Sequence, residues 1–232
     1  MFDIDKYKLY YNYDPRARVS EVIDTKGKIS LAYLFRWCEY LEYIPLFDTS
    51  DVVCMIQMFE RCTKLKTIPK LDTSSVEWAG WMFNLCESLQ HLPDINLKNL
   101  KDARSMFQRC YSLTSNLSFN VPNLIKGFNM FNNCQKVKSI TLINCNDKLE
   151  LCNAFTGCYS LEYLILDGYC GPLDIRDCKL TENSIEELFR SLGKANEHSP
   201  IIQLSDKWEG RLNREIIKIA LDKGYQVRYI RN

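Results

Sequence analysis

Apolar and polar positions follow a period of 24 residues through most of this chain. The recurring motif is Phe-x-x-Cys-x-x-Leu, which occurs six times at an unbroken interval, with valine replacing leucine once. Its members are Phe35/Cys38/Leu41, Phe59/Cys62/Leu65, Phe83/Cys86/Leu89, Phe107/Cys110/Leu113, Phe131/Cys134/Val137 and Phe155/Cys158/Leu161. A fixed period of roughly 20 to 50 residues is typical of proteins that stack one structural unit on the next. The pattern therefore predicts a solenoid, a fold that most often provides a binding surface.

Two more apolar columns emerge when the repeats are aligned at this period. We expect both to face the core, because each repeat can bury its apolar side only against its neighbours. The first column contains Ile44, Ile68, Leu92, Asn116, Ile140 and Leu164, and the second contains Phe47, Leu71, Ile95, Phe119, Ile143 and Asp167. Asn116 interrupts the first column, and Thr141 and Ile165 stand where earlier repeats have proline. We therefore expect the later repeats to be less regular than the first three.

Proline follows the first apolar column in the early repeats, at Pro45, Pro69 and Pro93. Since proline has no N–H to donate to a strand ladder, the strands there should be very short or end at that point. The segment 51–59 is expected to form one or two helical turns, with Asp48 or Ser50 as its cap.

Helical periodicity replaces the repeat in the last part of the chain. Ile185, Leu188, Phe189 and Leu192 have the spacing of one helix face, which predicts a helix capped by Thr181 and ended by Gly193. A strand at 201–204, a second helix before Gly224 and a strand at 225–230 should follow. We expect residues 169–232 to continue the sheet and close it as an α/β C-terminal cap. Residues 1–30 precede the first motif and are interpreted as an N-terminal cap or docking segment, which leaves 31–168 as the repeat array.

Composition and charge exclude several classes of protein. The chain has 232 residues, of which 46% are hydrophobic, and a net charge of +1. No basic excess indicates a nucleic-acid partner, and no stretch approaches the roughly 20 apolar residues of a membrane span. The N-terminus lacks the pattern of a signal peptide. We therefore expect a soluble protein that either stays in a cell or leaves it without a cleaved signal, as virus particles do.

The cysteines are numerous, at eleven, and six of them belong to the motif. The other five are Cys54, Cys145, Cys152, Cys170 and Cys178. An odd total fits poorly with a closed disulfide framework, whereas a regular repeat position is first a packing position. We interpret the motif cysteines as a ladder of reduced, buried thiols.

Residues that would carry catalysis are sparse. His91 and His198 are the only histidines and lie far apart in sequence. The nine glycines form no phosphate-binding loop, and no Cys-x-x-Cys pair is present. Cys145, Cys152 and Cys158 occur close together, but their spacing matches no pattern of metal ligands. The sequence therefore predicts a protein that is not an enzyme, with no catalytic residue, cofactor or metal site.

Two polar columns are the candidate partner-binding face, because neither keeps an apolar residue type. The first contains Tyr43, Thr67, His91, Ser115, Ser139 and Tyr163, and the second contains Glu42, Lys66, Gln90, Thr114, Lys138 and Glu162. Tyrosine anchors separated by small hydroxyl residues would suit a protein or glycan partner, as they do in antibody combining sites. The alternative is a solvated face with no ligand. Trp37 and Trp81 either cover the core edge or mark an interface.

The repeats resemble leucine-rich repeats of the BspA-like kind, in which Phe-x-x-Cys-x-x-Leu-x-x-Ile-Pro precedes Phe-Asp-Thr-Ser, a valine and Met-Phe. The fullest matches run from Phe35 to Ser50 and onward from Phe59, and the resemblance covers about residues 31–168. Leu180-Thr, Ile202-Gln-Leu-Ser and Lys223-Gly-Tyr lie in a segment similar to the one that closes such arrays in tail and surface proteins of gut bacteriophages and in bacterial surface proteins.

The resemblance implies an α/β solenoid, with about six 24-residue coils of leucine-rich repeat between two caps. It also implies a non-enzymatic binding or assembly protein, foremost a bacteriophage virion component that contacts host surface molecules or other virion proteins. The alternatives are a bacterial or protist surface adhesin at the cell surface and an intracellular adaptor or effector in the cytoplasm.

Overall fold

The structure is a computed structural model that describes residues 29–195 and 199–231. The expected N-terminal cap therefore lies outside the described residues, apart from Ile29 and Ser30, and so does His198.

Consecutive repeats lie side by side in parallel. Isolated β-bridges join residues 24 positions apart, in a series that runs through Ser30, Cys54, Trp78, Asp102, Lys126 and Glu150. The motif phenylalanines form a continuous stack from Phe35 to Phe155, with successive ring centroids 5.4 to 6.0 Å apart. This spacing is comparable to the ~4.8 Å between neighbouring β-strands, so each repeat adds one layer to the core.

The segment that contains the motif is a series of turns with alternating hydrogen bonds. The N–H groups of Phe35 and Trp37 donate to carbonyls of the next repeat at 2.9 and 2.7 Å, whereas those of Arg36 and Cys38 donate three residues back. Two residues of each such segment have positive φ, as Tyr33 does at 67° and Trp37 at 65°. The helical turns predicted for 51–59 are therefore wrong. A left-handed residue and N–H groups directed at the neighbouring repeat interrupt the bonding that an α-helix needs.

The cysteine thiols form a ladder beside the phenylalanine stack. The Cys62 Sγ–H donates to the Phe35 carbonyl at 3.1 Å, and Cys86, Cys110, Cys134 and Cys158 repeat this contact one layer further on. Cys178 adds a longer contact of 3.9 Å to the Phe155 carbonyl. All eleven cysteines are free thiols. Burial raises the pKa of the thiols from Cys62 to Cys134 well above the usual range and that of Cys158 to about 12.

Regular strands occur in the later repeats only, within the described part of the array. Strands β1 (Leu117–Asn120), β2 (Ser139–Ile143) and β3 (Tyr163–Leu166) form a parallel three-stranded sheet. The corresponding segments 41–47, 65–71 and 89–95 contain no strand. The expectation that the later repeats are less regular is therefore wrong for their strands, whereas the fourth repeat does depart from the period. Pro45, Pro69 and Pro93 remove a donor from the early segments, whereas the later ones have an N–H at this place.

The fourth repeat shifts its register by one residue. Leu117 lies opposite Ile140, an offset of 23, whereas Ile140 lies opposite Leu164 at the usual 24. Leu117 is therefore buried and Asn116 is exposed, so Asn116 does not occupy the core column in which the alignment placed it. Ile143 is 38% exposed and Leu142 is buried in its stead. The prediction that Ile143 faces the core is wrong, because side chains alternate between the two faces of a strand.

The C-terminal region is a second parallel sheet covered by two helices. Strands β4 (Leu173–Asp174), β5 (Ile201–Ser205) and β6 (Gln226–Ile230) alternate with helices α1 (Glu182–Ser191) and α2 (Arg214–Asp222), and a short 3-10 helix spans Asp206–Trp208. Thr181 caps α1 as predicted, and its hydroxyl accepts the Ser184 N–H. The expectation that this region continues the first sheet is wrong. The first sheet ends at β3, against which α1 packs, and β4 begins a separate sheet.

Two buried tyrosines join the array to this C-terminal region. The Tyr225 hydroxyl donates to the Tyr169 carbonyl at 2.7 Å, and the Tyr169 hydroxyl donates to the Pro172 carbonyl at 2.8 Å. Burial raises the pKa of both phenols. The Asp177 carboxylate accepts the Gly157 N–H at 2.8 Å and so provides the partner that a further repeat would have supplied.

Candidate partner-binding face

The two polar columns predicted to face solvent lie on the strand side of the array. Tyr43, Thr67 and His91 are exposed in the first column, and so are all six members of the second. The Gln90 N–H donates to the Lys66 carbonyl at 2.9 Å, and the Thr114 N–H donates to the Gln90 carbonyl at 3.0 Å. These bonds hold the side chains of successive repeats one layer apart. We use the term strand-side face for this surface.

The first column departs from the alignment at the fourth repeat. Ser115 is half-buried, and its hydroxyl accepts the Leu92 N–H at 3.2 Å. Because Leu117 lies opposite Ile140, the residue beside Ser139 is Asn116 and not Ser115. The Ser115 side chain therefore binds the backbone of the neighbouring repeat. Asn116 occupies the place on the strand-side face that was predicted for Ser115.

At its C-terminal end, the strand-side face meets helix α1. Ser139 and Tyr163 are paired in the sheet, as the column predicts. Burial, followed by the nearby Glu187 carboxylate of α1, raises the pKa of the Tyr163 hydroxyl. Tyr43 at the other end is 69% exposed, whereas Tyr163 is 38% exposed. The two tyrosine anchors are therefore unequal in the surface that they offer.

The two polar columns do not include several exposed residues on the strand side of the array. Leu46 is 72% exposed, and Asn116 and Ile143 also face solvent. Side-chain alternation could not have found Leu46, because it lies two residues after buried Ile44 and one before buried Phe47, and a period of two places those neighbours on opposite faces. No pattern marks Asn116 either, since its position depends on the register shift.

A cleft of about 530 Å³ opens on the strand side between the second and third repeats. Its lining comes from Lys70, Leu71, Asp72 and Thr73 on one repeat and from Asp94, Ile95 and Asn96 on the next. Leu71 and Thr73 are buried and Ile95 is half-buried, whereas the charged and amide side chains are exposed. The cleft therefore has a partly apolar floor between polar walls.

Hydrogen bonds fix the backbone at one end of the cleft. The Thr73 hydroxyl donates to the Asn96 carbonyl at 2.9 Å and accepts the Asn96 N–H at 2.8 Å. The Asp72 carboxylate accepts the Ser74 N–H at 2.9 Å, and hydrogen bonding from the Ser74 side chain, followed by this backbone contact, lowers the pKa of Asp72. The Asp72 side chain is therefore an ionised, oriented acceptor at neutral pH.

The tryptophans that the sequence singled out lie in the turn segments, away from the strand-side face. The Arg36 guanidinium lies 4.5 Å from the centre of the Trp37 ring, and the Arg104 guanidinium lies 4.9 Å from that of Trp81. Arg104 also pairs with the largely buried Asp102 at 2.7 Å. Guanidinium groups therefore cover part of both rings.

Within residues 29–195 and 199–231, no group of three or more His, Cys, Asp or Glu side chains is arranged to hold a metal ion. Cys145, Cys152 and Cys158 differ in environment, being half-buried, exposed and part of the thiol ladder, respectively. None of the helices in the described part of the chain is long and apolar enough to cross a membrane.

Comparison with known proteins gives a match for the repeats alone. Residues 29–143 match the model of a family described as Mycoplasma protein of unknown function, DUF285. The match begins just before the first motif and ends with strand β2. No curated protein and no solved structure matches the chain.

Proposed function

We propose that the stacked repeats form a leucine-rich-repeat solenoid whose strand-side face binds a protein or glycan partner. The observation that supports this most strongly is the exposed double column of Tyr43, Thr67 and His91 beside Glu42, Lys66 and Gln90. A backbone that is already rigid loses little further conformational entropy when a partner binds. The packed core of phenylalanine, methionine and cysteine supplies that rigidity.

The face is long enough for a macromolecular partner. Six layers at a spacing of about 4.8 Å give a strip of roughly 25 Å. Tyr43 at one end and Tyr163 at the other provide aromatic anchors, and the hydroxyl and amide side chains between them provide hydrogen-bonding groups. Charges of both signs occur along the strip, including Glu42 and Lys66, which favours a specific partner over a general polyanion.

We place this activity in a bacteriophage particle, where the chain would be a tail or surface component that contacts the host or neighbouring virion proteins. The resemblance of the repeats and of the closing segment to such proteins supports this placement. The binding role itself rests on the strand-side face and does not depend on the setting.

Mass spectrometry of purified particles tests the proposed setting. We expect peptides of this chain to co-purify with particles through density-gradient centrifugation. A chain that fractionates with host membranes would instead favour a surface adhesin, and one found only in the cytosol would favour an adaptor or effector. Absence from every particle preparation would remove the virion proposal.

A pair of tyrosine variants tests the proposed face. Tyr43→Ala removes an exposed ring from the strand-side face, whereas Tyr159→Ala removes a ring of similar exposure, 57%, from the motif segment. We expect Tyr43→Ala to weaken capture of the partner by about tenfold or more, as loss of an interface tyrosine commonly does. Tyr159→Ala is the matched control and should bind normally. Equal behaviour of the two variants would contradict the proposed face.

A further inference from the structure

The cleft between the second and third repeats lies where the neighbouring segments are joined only at their ends, from the Gln90 N–H to the Lys66 carbonyl and between Thr73 and Asn96. Pro69 and Pro93 occupy the place at which Thr141 and Ile165 belong to β2 and β3. The early segments form no ladder of strand hydrogen bonds, so the space between them is open to solvent. The regular sheet of the later repeats closes the equivalent space by direct pairing.

The walls of this cleft present both donors and acceptors at short range. Lys70 offers an ammonium group, Asp72 and Asp94 offer carboxylates, and Asn96 offers an amide. Among residues 29–195 and 199–231, Asp94 makes no hydrogen bond or ion pair, so its carboxylate is available to a ligand. Below the walls, Leu71 and Ile95 provide a narrow apolar floor.

We propose that this cleft binds one unit of a neutral saccharide, which identifies the partner of the strand-side face as a glycan and therefore rests on the proposed function. A sugar ring has an apolar C–H face and a rim of hydroxyl groups that both donate and accept hydrogen bonds. Leu71 and Ile95 match the C–H face. The carboxylates of Asp72 and Asp94 accept from ring hydroxyls, and Lys70 and Asn96 donate to them.

The charge of the cleft separates this ligand class from others. Two carboxylates and one ammonium give the walls a small net negative charge, which disfavours nucleic acids and sulfated or phosphorylated polymers. An apolar peptide would leave the wall groups buried and unpaired at a cost in binding free energy. A cationic peptide is the remaining competitor, because it would pair with the two carboxylates.

Titration of the isotopically labelled full chain followed by NMR tests the proposal. The probes are tetrasaccharides of β-linked glucose, α-linked glucose and β-linked N-acetylglucosamine, with tetralysine as the competing ligand. We expect at least one saccharide at millimolar concentration to shift the amide resonances of residues 70–73 and 94–96. Those of the motif segments should remain in place, and tetralysine should leave the cleft amides unchanged.

A matched pair of aspartate variants sharpens the test. Asp94→Ala should weaken saccharide binding about tenfold, since one charge-assisted hydrogen bond is lost. Asp51→Ala removes an exposed carboxylate from the first repeat, outside the cleft, and should bind the saccharide as the parent does. Equal affinities of the two variants would overturn the assignment of the cleft.

Two further outcomes would reject the saccharide. Absence of shifts with all three saccharides is one, and shifts of the cleft amides by tetralysine alone is the other. Neither outcome disturbs the proposed face if Tyr43→Ala still weakens capture of the native partner relative to Tyr159→Ala. Failure of the saccharide and failure of the binding face are therefore distinguishable.

Discussion

The first three repeats and the last three share the same core but differ in the hydrogen bonding of their strand side. Both halves stack their motif phenylalanines at nearly equal spacing, from 5.4 Å between Phe35 and Phe59 to 6.0 Å between Phe131 and Phe155. Only the second half adds a hydrogen-bonded sheet, formed by β1, β2 and β3. Stacking of the repeats therefore does not require the sheet, and the difference identifies the phenylalanine and thiol layers as the common source of stability.

The largest expected effect tests whether the core contributes equally in both halves. Phe59→Ala in the first half and Phe131→Ala in the second each remove a ring that is fully buried. We expect each to lower the free energy of unfolding by about 3–5 kcal/mol, through lost burial and the cavity left behind. Urea titration followed by circular dichroism measures both. A much smaller loss for Phe59→Ala would show that the two halves differ in their cores as well.

A reciprocal exchange of proline tests the difference on the strand side. Thr141 lies in β2, the central strand, so its N–H faces a neighbouring strand on one side or the other. Thr141→Pro should lower the free energy of unfolding by about 2 kcal/mol, because it removes a donor and leaves a carbonyl unpaired.

The reverse change, Pro69→Thr, affects a segment that has no ladder to complete. We expect it to change the free energy of unfolding by less than about 0.5 kcal/mol in the same assay. If both substitutions were neutral, the sheet of the second half would add nothing to stability.

The thiol ladder should behave alike in both halves. Cys86→Ala should cost about 1–2 kcal/mol at neutral pH, because the small cavity left by the thiol is not refilled. Cys134→Ala in the second half should cost a similar amount. Reductant should leave the parent protein folded, and unfolding by reductant alone would contradict the free-thiol assignment.

The thiol ladder should also make the free energy of unfolding depend on pH in the alkaline range. Burial raises the folded-state pKa of the Cys86 thiol well above that of an exposed thiol. The unfolded chain therefore loses this proton first, so the contribution to stability is complete below about pH 8.5 and declines as the pH rises further. The parent should lose stability faster than Cys86→Ala above that pH, by up to about 1.4 kcal/mol per pH unit. Parallel pH profiles of the two proteins would show that Cys86 is not shielded from solvent.

The left-handed residues of the turns give a further difference between the two halves. The early repeats place residues such as Trp81 and Leu85 at positive φ, whereas the fifth and sixth place Asn129, Asn133 and Gly157 there. Glycine and asparagine adopt this conformation with little strain.

Two substitutions at one column probe this strain. Arg109→Gly should raise the free energy of unfolding by about 0.5–1 kcal/mol, because it relieves the strain of a side chain at a φ of 60°. Gly157→Ala should lower it by about 1–2 kcal/mol, since φ is 75° and a Cβ would lie 2.6 Å from the Asn133 Oδ1 atom. Thermal unfolding by calorimetry resolves both changes, and a stabilised Gly157→Ala would refute the strain argument.

The sequence predicted the features that a strict period determines. The spacing of Phe59 and Cys62 placed the two side chains in the stack and the ladder, and amphipathic spacing located α1 and α2 with their neighbouring strands. It failed where a residue departs from the period. A fixed alignment assigns Asn116 to the core because it has no means to show that one residue is inserted there.

The candidate face was predictable in part for a related reason. The exposure of Tyr43 and His91 could be predicted, because their column keeps no apolar residue type. The cleft was not, because it depends on two segments that fail to pair in space. The residues with positive φ in the turn segments also gave no signal in the sequence, since tryptophan, leucine and arginine rarely adopt that conformation.

The one-residue register shift at Asn116 is confined to the strand side of the fourth repeat. Lys126 follows Leu117 by nine positions, whereas Glu150 follows Ile140 by ten, so the bridge from Asp102 to Lys126 returns to the usual interval of 24. A one-residue register shift on the strand side is therefore absorbed within one repeat and does not propagate to adjacent layers. Such a surface is suited to diversification, because an added residue that alters recognition can be offset within the same repeat without changes in the interior.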